Sequence, residues 1–297
     1  IAIARDFLLP RQLERAALTA DEIRVSDEAL REIAANYTRE PGVRQMERLL
    51  AKALRKAATK LTKADAPDRL AIEPTNLRDY LGRPRFTPEA HERTAIPGVS
   101  TGLAVTGMGG DVLFVEASAE PVTGSPVNPS TGSGRRGGLT LTGQLGDVMK
   151  ESAQIALSYV RSHAEQLGIN DPSVLDRQIH IHVPAGAIPK DGPSAGVTMV
   201  TALTSMAVGR PVRSEVGMTG EVTLNGRVLP IGGVKQKLLA AQRAGLTTVF
   251  LPKRNEPDLD DVPAEVLEAI DVRLSTDVAE LVAQAIEPAE PGVVQAA

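Results

Sequence analysis

The chain has 297 residues, 42% hydrophobic and 24% charged, which is enough for about two domains with ordinary globular cores. There is no Cys and no Trp, there are four Phe and three Tyr, and the formal charge is −4. These counts exclude disulfides, thiolate zinc sites and cysteine nucleophiles, leave no aromatic platform for stacking single-stranded nucleic acid, and give no whole-chain attraction to nucleic acid.

No stretch reaches about 18 apolar residues, so no membrane-spanning helix is read. The opening IAIARDFLLPRQ holds no long apolar run and no small-residue cleavage site, so a secretory leader is not expected and a cytoplasmic location is. A first residue other than Met reads as a fragment or a processed chain.

In chain order, Leu8, Leu9, Leu13, Ala16, Ala17 and Leu18 form a first amphipathic stretch. Ser26 stands as an N-cap before the acidic first turn Asp27-Glu28 and the apolar Ala29, Leu30, Ile33 and Ala34. Pro41-Gly42 stops that helix. Val43, Met46, Leu50, Ala53, Leu54, Ala57 and Leu61 keep helical spacing through the next. Together these predict a small all-α domain at 1–82, with a linker at 83–98.

From residue 99 the period changes. Leu103 and Val105, then Val112, Phe114 and Val115, flank Gly107-Met108-Gly109-Gly110 and predict a hairpin. In 121–138, 13 of 18 residues are Pro, Gly, Ser or Thr, which predicts a mobile loop rather than a packed element. A strand at 139–141, a long amphipathic helix at 143–167 and an alternating strand at 178–183 follow. After them come a helix at 194–208, strands in 215–230, a helix at 234–244, a strand at 248–251 and helices near 263–270 and 276–286. Strands alternate with helices, so 99–297 reads as an α/β domain and the whole chain as α+β. Residues 255–297 carry 11 acids and one Arg and read as a solvated surface.

Chemistry first shows in PKDGPSAG at 189–196. A strand ends near Val183, the chain turns through Pro184, Gly186 and Pro189, and an apolar helix starts at about Pro193, where proline suits the first turn. Ser194 then lies among unpartnered backbone N–H groups at the positive end of a helix, an arrangement that stabilises an oxyanion. The same position suits a plain capping serine. A nucleophile needs a base. His91 lies in the linker and His163 late in a helix. His180 and His182 alternate on one strand and face one side, either as a base candidate near Ser194 or as a structural pair; with no third ligand evident, a metal site is not read. Lysine is the other candidate base. Lys235 and Lys237 follow a Gly-Gly turn at a helix start, pointing about 200° apart. One of them can be solvated while the other is buried, with its pKa lowered both by burial and by the helix N-terminus.

PKDGPSAG followed by GMTGEVTLNGRVLPIGGVKQK resembles the proteolytic domain of the Lon family of ATP-dependent proteases over most of residues 96–286. The resemblance implies Ser194 as nucleophile and Lys237, the second lysine of GGxKxK, as base. It implies Thr219 of MTGE as the hydrogen-bond partner of that lysine. Glu221 becomes a supporting carboxylate or else a strand-surface acid, and Asp191 a gate whose loop folds inward to block the site. The segment TREPGVRQMERLLAKALRKAATKL resembles the small α-helical subdomain of the Lon AAA+ module, and Arg44 matches its sensor-2 arginine, which contacts nucleotide. The basic row Arg44, Arg48, Lys52, Lys56, Lys60 drifts around the helix at i+4 spacing and reads as a solvated face. The sequence holds no Gly-Lys dipeptide, so it lacks a phosphate loop of the G-x-x-x-x-G-K-[ST] kind.

The sequence therefore reads as the C-terminal part of a Lon protease, a Ser–Lys endopeptidase acting on unfolded or damaged protein. Backbone N–H groups around Gly192, Pro193, Ser194 and Ala195 would hold the oxyanion. No cofactor or metal is expected in this chain, with ATP and Mg belonging to the full-length protein. The resemblance implies a homohexameric ring and DNA binding by the full-length protein, and no membrane partner is expected. Two other classes stand beside this one. A non-catalytic module of the same fold, used for assembly or nucleic-acid work, has no need of Ser194 and Lys237. A Gly-rich phosphate binder would need the missing phosphate-loop lysine.

Overall fold

A computed structural model describes residues 1–38, 40, 42–63, 67, 69–85, 96–107, 109–120, 137–184 and 189–288. His91, Gly186, Met108 and most of the 121–138 loop lie outside them. The chain divides into two compact units, Ile1–Pro88 and Glu89–Ala297.

The first unit is helical, with one addition. A π-helical turn at Ala4–Leu8 leads into α1 (Leu9–Arg15), followed by α2 (Asp27–Glu32), α3 (Arg44–Leu61) and α4 (Leu77–Leu81). Two three-residue strands, β1 (Ile23–Val25) and β2 (Leu70–Ile72), pair in parallel. They are too short to show an alternation in sequence. Ser26 caps α2, its Oγ accepting from Ala29 N at 3.1 Å. The apolar positions of α3, Met46, Leu50, Ala53, Leu54 and Ala57, are buried in the unit's core with Leu30, Ile33, Ile72 and Tyr80.

The basic row lies on the surface, with Arg44, Arg48, Lys52 and Lys56 exposed and Lys60 half-buried, and its lysines reach α4. Lys52 Nζ donates to Leu81 O and Lys56 Nζ to Asp79 O, each at 3.2 Å, while Lys60 lies over the Tyr80 ring at 4.2 Å. Lys52 and Lys56 thus cap the carbonyl end of α4, where the helix dipole favours cations.

The second unit is built on a mixed seven-stranded sheet: β3 (Val99–Thr106), β4 (Gly109–Ala119), β5 (Leu139–Thr142), β6 (Ile179–His182), β7 (Val216–Met218), β10 (Thr248–Pro252) and β11 (Asp271–Ser275). The spatial order is β11-β10-β7-β3-β4-β6-β5, and a separate hairpin pairs β8 (Glu221–Val222) with β9 (Val228–Leu229). The expected strands of 215–230 are thus three short ones serving two sheets. The β3–β4 hairpin packs on α7 (Val234–Arg243), and Gly110 permits it: a Cβ there would meet Gln236 O at 1.9 Å.

Helix α5 (Asp147–Ser162) is shorter at both ends than the predicted 143–167. Gly143 and Gln144 have positive φ, 117° and 54°, so the chain is still turning there, and Val148, placed on the apolar side by periodicity, is 45% exposed. Helix α6 (Gly196–Val208) is buried from Gly196 through Ser205, the central element of the core. α8 (Ala264–Ala269) and α9 (Val278–Ala285) complete the unit. Their Val266, Val278, Leu281 and Val282 are core residues, so within 255–288 only the acidic side is solvated. Among the described residues, no helix is long and apolar enough to cross a membrane.

Candidate active site

Three segments meet at the start of α6. The first is PKDGPSAG. Pro193–Ala195 forms a single 3-10 turn ahead of α6, so Ser194 sits in the entry turn rather than in the α-helix itself. Its carbonyl is fixed twice, accepting from Gly220 N at 2.9 Å and from Thr219 Oγ1 at 3.1 Å. The side chain is half-buried.

Asp191 is exposed and works as a cap from outside. Its Oδ1 accepts from Met149 N, in the first turn of α5, and from Gly192 N, both at 2.9 Å. Gly146 N donates to Lys190 O at 2.7 Å, and Lys190 N to Gln144 O at 3.1 Å. The segment before the serine is thereby zipped to the start of α5.

The second segment is the exit of β7. Thr219 is fully buried and its N–H donates to Phe250 O of β10 at 3.1 Å. The third is α7. Lys237 is 2% exposed, and its Nζ donates to Thr219 Oγ1 at 2.9 Å. Lys235, two positions earlier, is exposed, so the two lysines of the motif separate as their helical spacing predicts. Burial pushes the Lys237 amine down to about 8, because a charged ammonium loses its hydration there.

The Thr219 hydroxyl carries one hydrogen, given to Ser194 O, so toward Lys237 it can only accept. One N–H of the lysine is committed to Thr219, and the lone pair of a neutral amine points elsewhere. Among the described residues no hydrogen bond yet joins Ser194 Oγ to Lys237; the two are linked through Thr219.

The remaining candidates fall outside this cluster. Glu221 pairs with Leu229 through the β8–β9 backbone, and among the described residues its side chain has no ion pair or hydrogen bond. His180 and His182 share the Thr142 hydroxyl, at 2.8 Å to His180 Nε2 and 2.6 Å to His182 Nδ1, with no hydrogen bond to Ser194. A threonine of the edge strand β5 between two rings of its neighbour β6 is a structural arrangement. Arg44 begins α3 in the first unit, in a cleft of about 580 Å³ with Arg48, Arg55 and Arg85. Among the described residues no group of three His, Cys, Asp or Glu is disposed to hold a metal.

Two contributors escaped the sequence: the carbonyl of Phe250, which holds Thr219, and Asn255, 3% exposed, whose side chain holds Ile231. Backbone carbonyls carry no residue signature, and Asn255 is hidden in the charged run KRNEPDLDD.

The family description "Lon protease (S16) C-terminal proteolytic domain" matches residues 71–288. The chain belongs to the Lon protease family. A second description, "Lon protease AAA+ ATPase lid domain", matches residues 14–69. The chain is 68% identical over all its length to a Lon protease of Mycolicibacterium smegmatis, covering 36% of that protein. It is 64% identical over 98% of its length to one of Salinispora arenicola (35% of that protein) and 50% identical over 96% to one of Bacillus thuringiensis (34%). It thus spans about a third of the length of the curated relatives it matches, and carries the Lon proteolytic domain with a lid ahead of it.

Proposed function

We propose that this chain is the peptidase part of an ATP-dependent Lon protease and hydrolyses peptide bonds with Ser194 as nucleophile and Lys237 as base. The observation that carries the reading is the buried Lys237 amine, held on Thr219, whose hydroxyl also grips the nucleophile's own carbonyl. Ser194 Oγ attacks the substrate carbonyl carbon as its proton passes to Lys237 Nζ. The oxyanion is held by the N–H groups of Ser194 and Ala195 at the entry to α6; the Gly192 N–H is already taken by Asp191. Collapse of the intermediate breaks the C–N bond, and the lysine returns its proton to the leaving amine. Water, deprotonated by Lys237, then releases the acyl group and restores Ser194.

Substrates are unfolded protein segments. β7 pairs with β3 only at Gly102–Met218 before turning away at Thr219. The far half of β3, which runs past the Pro193–Ala195 turn, thus offers an edge on which an extended peptide adds as a strand. ATP and Mg act in the remainder of the full-length protein, where Arg44 is the nucleotide sensor. The full-length protein is a cytoplasmic homohexameric ring, with DNA as a further partner. A lid at 1–82, a linker at 83–98 and a proteolytic domain at 99–297 belong to the same reading, supported by the two compact units. A serine-directed covalent inhibitor followed by mass spectrometry tests the assignment: the adduct is expected on Ser194, and an adduct elsewhere overturns it.

A further inference from the structure

We propose that Asn255 is a positioning residue for the base, its side-chain amide clamping Ile231 and so fixing the turn from which the helix of Lys237 starts. This rests on the Ser194–Lys237 reading above.

Asn255 lies in the 3-10 stretch Lys253–Asp261 that follows β10. Its neighbours Lys253, Arg254, Glu256 and Asp258 are exposed, while Asn255 is turned inward. Its Oδ1 accepts from Ile231 N at 3.0 Å, and its Nδ2 donates to Ile231 O at 2.8 Å and to Asp258 Oδ2 at 2.6 Å. The acceptor oxygen and both amide hydrogens are used. The side chain replaces a strand neighbour, pairing with both polar groups of one residue.

Ile231 needs such an anchor. Gly232 and Gly233 follow it, the residues with the greatest backbone freedom. Gly233 is the N-cap of α7, with φ 73° and no side-chain cap. Lys237 N donates to Gly233 O at 3.0 Å, so one helical turn carries the position of the Gly-Gly turn to the base. The same short piece of chain holds the partner too, since Phe250 O fixes Thr219. Residues 250–255 therefore set both ends of the Lys237–Thr219 contact. A shift of about 1 Å in a catalytic group costs on the order of 10²-fold in rate.

The test is steady-state peptidase kinetics on the full chain across pH. Asn255→Ala is expected to lower kcat by about 10–100-fold while leaving KM within about 2-fold. The midpoint of its pH–rate profile should move upward, because a loosened helix start admits water to the amine and the ammonium regains solvation. Asn255→Asp keeps the acceptor for Ile231 N but cannot donate to Ile231 O and faces Asp258, so it should show the same two changes. Glu256→Ala, on the exposed side of the same stretch, should change neither. Wild-type kcat and midpoint in Asn255→Ala overturn the proposal. So does a loss of kcat that merely follows a loss of melting temperature with the midpoint unmoved. If Asn255→Ala does not fold, Asn255→Asp decides by the same two readouts. Lys237→Ala separates the two levels: if it stays active, the assignment of the base itself has failed, whereas a dead Lys237→Ala beside an unaffected Asn255→Ala defeats the clamp alone.

Discussion

Burial takes the Lys237 amine down to about 8, and in the proposed mechanism the deprotonated form is the base. Peptidase rate is therefore expected to climb with pH and level off above about 8; a profile flat from pH 6 to 9 would remove Lys237 from the mechanism. Lys237→Ala should cost about 10²–10⁴-fold and Lys237→Arg a similar amount, since a guanidinium keeps its proton, while Lys235→Ala should cost far less. Ser194→Ala should abolish turnover with the fold intact.

The same burial costs stability. The folded-state pKa lies below the ordinary 10.5, so the folded form binds fewer protons than the unfolded chain between about 8 and 10.5, and stability rises with pH through that window. Below it the penalty is fully present. Lys237→Met should therefore be inactive yet more stable at pH 7 by about 2–3 kcal/mol, an advantage that shrinks as pH rises from 8 toward 10.5. Urea midpoints of both proteins at pH 7 and 10 measure this. Ser194, Thr219 and Lys237 were legible as candidates through the resemblance of PKDGPSAG, MTGE and GGxKxK to a known family, since residue chemistry alone left a capping serine and either lysine open. The roles of Asp191 and Asn255 were not, because each is set by a partner remote in sequence.

Helix α5 owes its start to an aspartate on another segment. Met149 N is among the N–H groups that a helix leaves unpaired at its start, Gly146 offers no side chain to cap it, and Asp191 does so instead. Asp191→Ala should destabilise the second unit by about 1 kcal/mol, read from a denaturant midpoint, with Asp191→Asn recovering part of it. Equal midpoints for wild type and Asp191→Ala would deny the cap. Helix boundaries were the least legible part of the fold for the same reason. Periodicity ran α5 back to Gly143, but positive φ at Gly143 and Gln144 stops the helix short. By contrast the central span of α3 was plain, since five buried apolar residues repeat at helical spacing.

Across the molecule, helical and strand periodicity divide the chain near the place where it separates into Ile1–Pro88 and Glu89–Ala297. Strand order was not legible. β7 lies between β3 and β10, a neighbourhood set by packing rather than by succession. With no Gly-Lys dipeptide in the sequence, ATP should neither be hydrolysed by this chain nor speed its cleavage of an unfolded substrate. Phosphate release above background from the purified chain would refute that.

The place of β7 in the sheet also bears on how such a peptidase is made. Pairings between strands far apart in sequence form late, after the loop-closure entropy has been met, and domains emerge from the ribosome N-terminal end first. A nascent chain that has just extruded Lys237 already contains both Ser194 and Lys237, the proposed nucleophile and base. It still lacks the β10 carbonyl at Phe250 that seats Thr219 and the Asn255 amide that seats Ile231. On the proposed mechanism, the site is expected to stay unassembled until residue 255 is out of the ribosome and β10 has docked beside β7, which would keep the peptidase silent while its own chain is still being made.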